Sequence, residues 1–165
     1  MIIKNLGKNF FINLSLVLLI FLLDRFSKIY VIYLDKKFLG SEIFSSKFLN
    51  ITLIWNEGIA FGLLSFDSIY FYNILTLIIA IVILVLIIMA INSNGLKRYS
   101  LSVIIGGAIG NLLDRIVFSA VPDFIDFHIG NFHWFIFNVS DIFITLGIIS
   151  LIIIELLEIN DNKEI

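Results

Sequence analysis

Residues 69–91 form a run of 23 residues without a single charge. As a helix rising about 1.5 Å per residue, such a run reaches roughly 35 Å, enough to cross a hydrocarbon core about 30 Å thick. A soluble fold of 165 residues could not hide this segment together with the rest of a chain that is 60% hydrophobic and 15% charged. The mean hydropathy of +1.08 requires lipid to cover part of the surface. A formal net charge of −2 leaves no basic footprint for nucleic acid, and the absence of cysteine excludes disulfides, thiolate metal sites and a thiol nucleophile.

The rest of the chain follows the same pattern. Lys4 and Lys8 precede an uncharged run, which resembles the start of a secretory signal. No small-residue cleavage pattern follows it. Asp24, Arg25 and Lys28 come next, then further apolar sequence, so residues 10–34 read as a membrane helix. Two more helices are expected over 99–115 and 139–157, giving four spans in one membrane domain, 1–165. Long outer connections occupy 35–68 and 116–138. The fold class expected is therefore an all-α integral membrane protein with a small β-containing cap. The cap belongs to the first outer loop, where the β-branched and aromatic stretch 48–55 reads as a strand and leads into a glycine-bearing turn at 56–62. Pro122 breaks any helix in the second connection. Gly106 and Gly110 have the small-xxx-small spacing that lets membrane helices approach closely.

Four spans put both termini on one side. Lys4, Lys8, Lys97, Arg98 and Lys163 lie near one surface, and Lys36, Lys37 and Lys47 near the other. This bias puts the termini in the cytoplasm and the long connections outside.

Helix rise then fixes depth. Asp24 lies roughly 24 Å outward from Lys8, Asp114 about 23 Å from Tyr99, and Asp141 about 21 Å from Glu155. Three separate helices thus place carboxylates at one level, in the outer third of the bilayer. Facing lipid, Asp24, Arg25, Lys28, Asp114, Arg115 and Asp141 would together cost well over roughly 10 kcal/mol. Pairing or a wet interior must relieve that cost. Asp24 and Lys28 stand at i,i+4 and can pair, whereas Asp114 and Arg115 are adjacent and face apart, so Arg115 needs another partner.

Asp123 and Asp141 are the candidate catalytic pair. Two carboxylates within reach of one another share a proton near neutral pH, so one can activate water while the other polarises a carbonyl. The competing role for Asp141 is that of a helix cap. Asn56, Asn111 and Asn138 are candidates to hold a substrate backbone, or else buried amides satisfying local groups. Arg115 either steadies the carboxylates, binds a carbonyl, or snorkels to the interface. His128 and His133 with Asp126 invite a metal reading, but their spacing matches no helical metalloprotease pattern, and no metal is expected. Trp55 and Trp134 read as an interfacial belt. Two further classes compete: a small ion- or proton-coupled transporter, which would favour repeats and polar groups at the midplane, and a non-enzymatic subunit of a membrane complex.

Five blocks in order carry a resemblance. They are Asp24-Arg-Phe-Ser-Lys28; Asn56-x-Gly58-x-Ala60-Phe61; Gly106-Gly-Ala-x-Gly110-Asn111-x-x-Asp114-Arg115 with Asp123-Phe124 after it; and Phe137-Asn138-x-x-Asp141. Together they resemble the bacterial lipoprotein signal peptidases (signal peptidase II). The resemblance implies a membrane aspartic endopeptidase that cuts lipid-modified prolipoproteins before the diacylglyceryl cysteine. It places Asp123 and Asp141 as the catalytic pair and Asn56, Asn111, Arg115 and Asn138 at substrate contacts. Asp24, Lys28, Asp114 and Gly110 fall at supports of the site. It implies no cofactor, sensitivity to the cyclic peptide globomycin, a monomer in contact with membrane lipid, and the bacterial cytoplasmic membrane as location. Arg25, Pro122 and Ser140 depart from the family's frequent residues, and Pro122 bears on how Asp123 is presented.

Overall fold

The computed structural model describes residues 8–58 and 69–161. Ala60, Phe61 and Gly62, together with Lys4 and Lys163, lie outside them. Four long helices are present: α1 (Lys8–Lys37), α2 (Ile69–Asn92), α3 (Gly95–Phe118) and α4 (Val139–Asp161). All four are long and apolar enough to cross a membrane. α1, α3 and α4 run further than the apolar runs alone indicate, and the last turns of α1 and α3 carry Lys36, Lys37 and Arg115 near the carbonyl ends, where cations are favourable.

α3 is the central helix and packs against the other three. Its glycines explain how. A Cβ on Gly106 would meet the Ile20 Cβ at 2.9 Å, and one on Gly107 would meet the Ser140 carbonyl at 2.7 Å. One glycine face therefore admits α1 and the other admits α4, as the sequence spacing anticipates for close helix approach. α2 is apolar all round and leaves Ile74, Leu77, Ile81 and Leu84 exposed, as a helix bathed in lipid does. At its C-terminal end, Arg98 donates to the carbonyls of Ala90 (3.0 Å) and Ile91 (3.1 Å), satisfying acceptors that the helix terminus leaves unpaired.

The strand expected in the first loop exists as β2 (Leu49–Asn56), preceded by the two-residue β1 (Phe44–Ser45). The cap is not confined to the first loop: the second connection, free of helix as Pro122 requires, joins it. It folds as a hairpin, β3 (Val121–Ile129) and β4 (Phe132–Phe137), and the four strands form one antiparallel sheet in the order β1-β2-β3-β4. Pro122 is tolerated because it is the second residue of β3, paired with Trp55 at the strand's start. The cap is thus built from both loops, and the molecule is mostly helical with one small sheet at the end where α1 and α3 finish and α4 begins.

Candidate active site

Strand register assembles the polar residues. β2 pairs with β3 so that Asn56 lies opposite Val121 and Ile54 opposite Asp123. β3 pairs with β4 so that Ile125 lies opposite Phe137. The hairpin therefore returns the chain to Asp123 just where β4 ends and α4 starts, bringing residues 18 positions apart in sequence to one place.

Asn138 joins the two carboxylates. It is the N-cap of α4: its side-chain oxygen accepts from the Asp141 N–H (3.2 Å), and its own N–H donates to Asp141 Oδ2 (3.1 Å). This reciprocal pair has the form of a capping box. With the oxygen so engaged, the Asn138 amide nitrogen points at Asp123 Oδ1, 2.6 Å away. Asn56 donates to the other Asp123 oxygen at 2.9 Å. Asn111 donates to Asp141 Oδ1 at 2.9 Å. The capping role considered for Asp141 is therefore real, but it uses one oxygen only.

The Asn111 amide is oriented from below. Lys28 donates to its oxygen at 2.7 Å, which leaves the nitrogen for Asp141. Lys28 is itself 1% exposed and bound to Asp114 (2.6 Å) and Asp24 (3.0 Å), so the i,i+4 pair read from sequence is present. Arg25 grips Asp114 through both terminal nitrogens, at 2.5 and 2.6 Å, and Asp24 at 2.8 Å. Two buried acids and two bases balance, which is how such charges survive at this depth. Asp24 also accepts from the Ser140 N–H at 3.1 Å and so ties α1 to the first turn of α4. Gly110 makes room for this: a Cβ there would meet Asp24 Oδ2 at 2.5 Å and Ser140 Oγ at 2.6 Å.

Arg115 is buried and does not snorkel. It donates to the Gly58 carbonyl, stacks over the Tyr72 ring at 5.6 Å, and so fixes the end of β2 against α2 and α3. Arg25 is among the charges the sequence requires to be paired, but no helical spacing names Asp114, on another helix, as its main partner. Trp55 and Trp134, read from the sequence as interfacial, both line an open groove of about 760 Å³ together with Asn56, Gly58, Asp123 and Phe135.

Asp123 lies outside the spans, and burial pushes its carboxyl up to about 6. The Asn56 and Asn138 hydrogen bonds pull it the other way, and the neighbouring Asp141 adds to the rise. Because the Asn56 bond favours the ionised form, Asn56→Ala moves the Asp123 titration to higher pH, by on the order of one pH unit. A pH titration of the Asp123 carboxyl, followed by its infrared absorption in the variant against the parent, measures the shift; an unmoved titration refutes it.

Known proteins share this chain's sequence over most of its length. A profile described as Signal peptidase (SPase) II matches residues 16–157. The chain belongs to the signal peptidase II family. A protein named lipoprotein signal peptidase from Pelagibacter ubique (strain HTCC1062) is 48% identical over 149 residues, covering 90% of each chain. One of the same name from Anaplasma marginale (strain Florida) is 37% identical over 152 residues, covering 91% of this chain and 87% of that one. A solved bacterial membrane enzyme, determined in meso at 2.3 Å resolution, superposes with a TM-score of 0.71 at 33% identity over 92% of this chain and 90% of its own. This signal peptidase II family member is accordingly a multi-pass membrane peptidase.

Proposed function

We propose that this chain removes the signal peptide from diacylglyceryl-modified prolipoproteins, cutting before the lipidated cysteine, with Asp123 and Asp141 as an aspartic pair. The observation that carries this reading is the Asn138 bridge, which holds both carboxyl groups at the junction of the sheet and α4, one of them lining the groove. Family membership and the relatives' printed name, lipoprotein signal peptidase, support the substrate class.

In this mechanism the ionised carboxylate takes a proton from water as its oxygen attacks the scissile carbonyl. The protonated partner donates a hydrogen bond to that carbonyl oxygen. The tetrahedral intermediate collapses when a carboxyl returns a proton to the leaving nitrogen and the C–N bond breaks. The products are a signal-peptide carboxyl terminus and the free amine of the cysteine. Asn56, Asn111, Arg115 and Asn138 orient the carboxyls and the segments that meet substrate. Asp24, Lys28, Asp114 and Gly110 support them. No cofactor enters the steps. The substrate's acyl chains stay in lipid, its peptide enters the groove beside Trp55 and Trp134, and a monomer suffices. The site faces the outer leaflet of the cytoplasmic membrane, with both termini inside.

The deciding experiment incubates purified protein in detergent with a diacylglyceryl-modified precursor and with the same precursor unmodified. Cleavage of the modified form alone, blocked by globomycin, is expected. Equal cleavage of both, or of neither, overturns the reading.

A further inference from the structure

Asp126, His128 and His133 match no metal pattern when spaced on a helix, but a strand pair obeys a different rule. On β3, Asp126 and His128 are two positions apart, and the register shift in the β3–β4 pairing that falls between them leaves Asp126 against His133. On β4, His133 is the cross-strand partner of His128. The hairpin therefore gathers all three, and one donor atom from each lies within 4.8 Å of the others. The chain has two histidines in all, and both are here.

Two observations point beyond a structural His–Asp pair. His133 Nδ1 contacts Asp126 Oδ2 at 2.8 Å, yet Asp126 Oδ1 and His128 Nδ1 are buried with no hydrogen-bond partner. Asp126 is 6% exposed, so its second oxygen is an acceptor taken out of water with nothing to receive. The two imidazoles stack with centroids 5.0 Å apart and planes at 23°. Ligands around a cation at about 2.0–2.2 Å lie roughly 3–3.5 Å from one another, so modest side-chain rotations close the set.

We propose that the β3–β4 hairpin carries a divalent transition-metal site whose protein ligands are Asp126, His128 and His133. Two imidazoles and one carboxylate suit borderline cations of the zinc, cobalt and nickel kind rather than magnesium or calcium. Water fills the remaining positions. Asp126 is three residues from Asp123, about 10 Å along the strand, so the ion lies apart from the carboxylate pair and takes no part in hydrolysis. It cross-links β3 to β4 and so steadies the strand that presents Asp123. In this the proposal departs from the expectation of no metal.

The test titrates Zn²⁺, and separately Co²⁺ with its visible spectrum, into the full chain in detergent, purified with a tag free of histidine. One equivalent is expected to bind, with a cobalt spectrum showing nitrogen ligands. His133→Gln, at an exposed position, is expected to weaken binding about tenfold or more, and His128→Gln with His133→Gln to abolish it. No saturable binding at millimolar ion overturns the proposal. So does binding that the double variant retains, since that variant has neither imidazole nor thiol.

Discussion

Asp123→Asn and Asp141→Asn are each expected to lower cleavage of lipidated precursor by roughly 10³–10⁴-fold, about 4–5.5 kcal/mol of transition-state stabilisation. Either change removes the group that holds or accepts the shared proton while nearly preserving shape. The two carboxyls act as a unit, so the double variant is expected to be no worse than the worse single. Folding is retained at modest cost. An amide at 123 can still present oxygen to Asn138, but its nitrogen then faces the Asn56 donor. Rates measured beside a thermal unfolding curve separate the outcomes. Protein that unfolds at the parent temperature and still cleaves at a near-normal rate removes the pair from the mechanism.

The second large effect is on stability. Asp114 is 0% exposed and receives both Arg25 and Lys28. Asp114→Ala leaves the buried Lys28 and the largely covered Arg25 sharing Asp24, and the loss is expected to be about 3–5 kcal/mol. The unfolding midpoint in detergent should fall on the order of 10 °C. Activity falls with it, because Lys28 no longer holds Asn111 in the orientation that donates to Asp141. A change below about 1 kcal/mol, as for an exposed pair, would falsify the view of these charges as one buried cluster.

The same cluster shows how far local sequence reaches. Asp24 and Lys28 lie one helical turn apart, so their pairing follows from i,i+4 geometry alone. The shared depth of Asp24, Asp114 and Asp141 follows from counting residues at a fixed rise. The glycine row of α3 announces close helix contact because only a missing side chain permits it. By contrast, Arg25 reaching Asp114 depends on which faces of α1 and α3 meet, and that is a matter of rotation about two axes. Pro122 removes a backbone donor and so excludes helix from the second connection, but it does not point to a strand there. Its place at the start of a strand, where that donor is dispensable, depends on pairing with β2. Composition points Trp55 and Trp134 to an interface, and only the sheet's register places both beside Asp123.

Sequence by itself determined that this chain must live in lipid, how many of its helices are long enough to cross, and that Asp24, Asp114 and Asp141 share one level along them, because hydrophobic length and helix rise are local quantities that no partner alters. It also carried the ordered residues by which the family is told. Only the tertiary structure decided which oxygen of Asp141 caps a helix and which receives Asn111, that Asn138 bridges both acids, and that three hairpin side chains converge. Those depend on strand register and helix rotation, which are set by contacts between segments far apart in the chain.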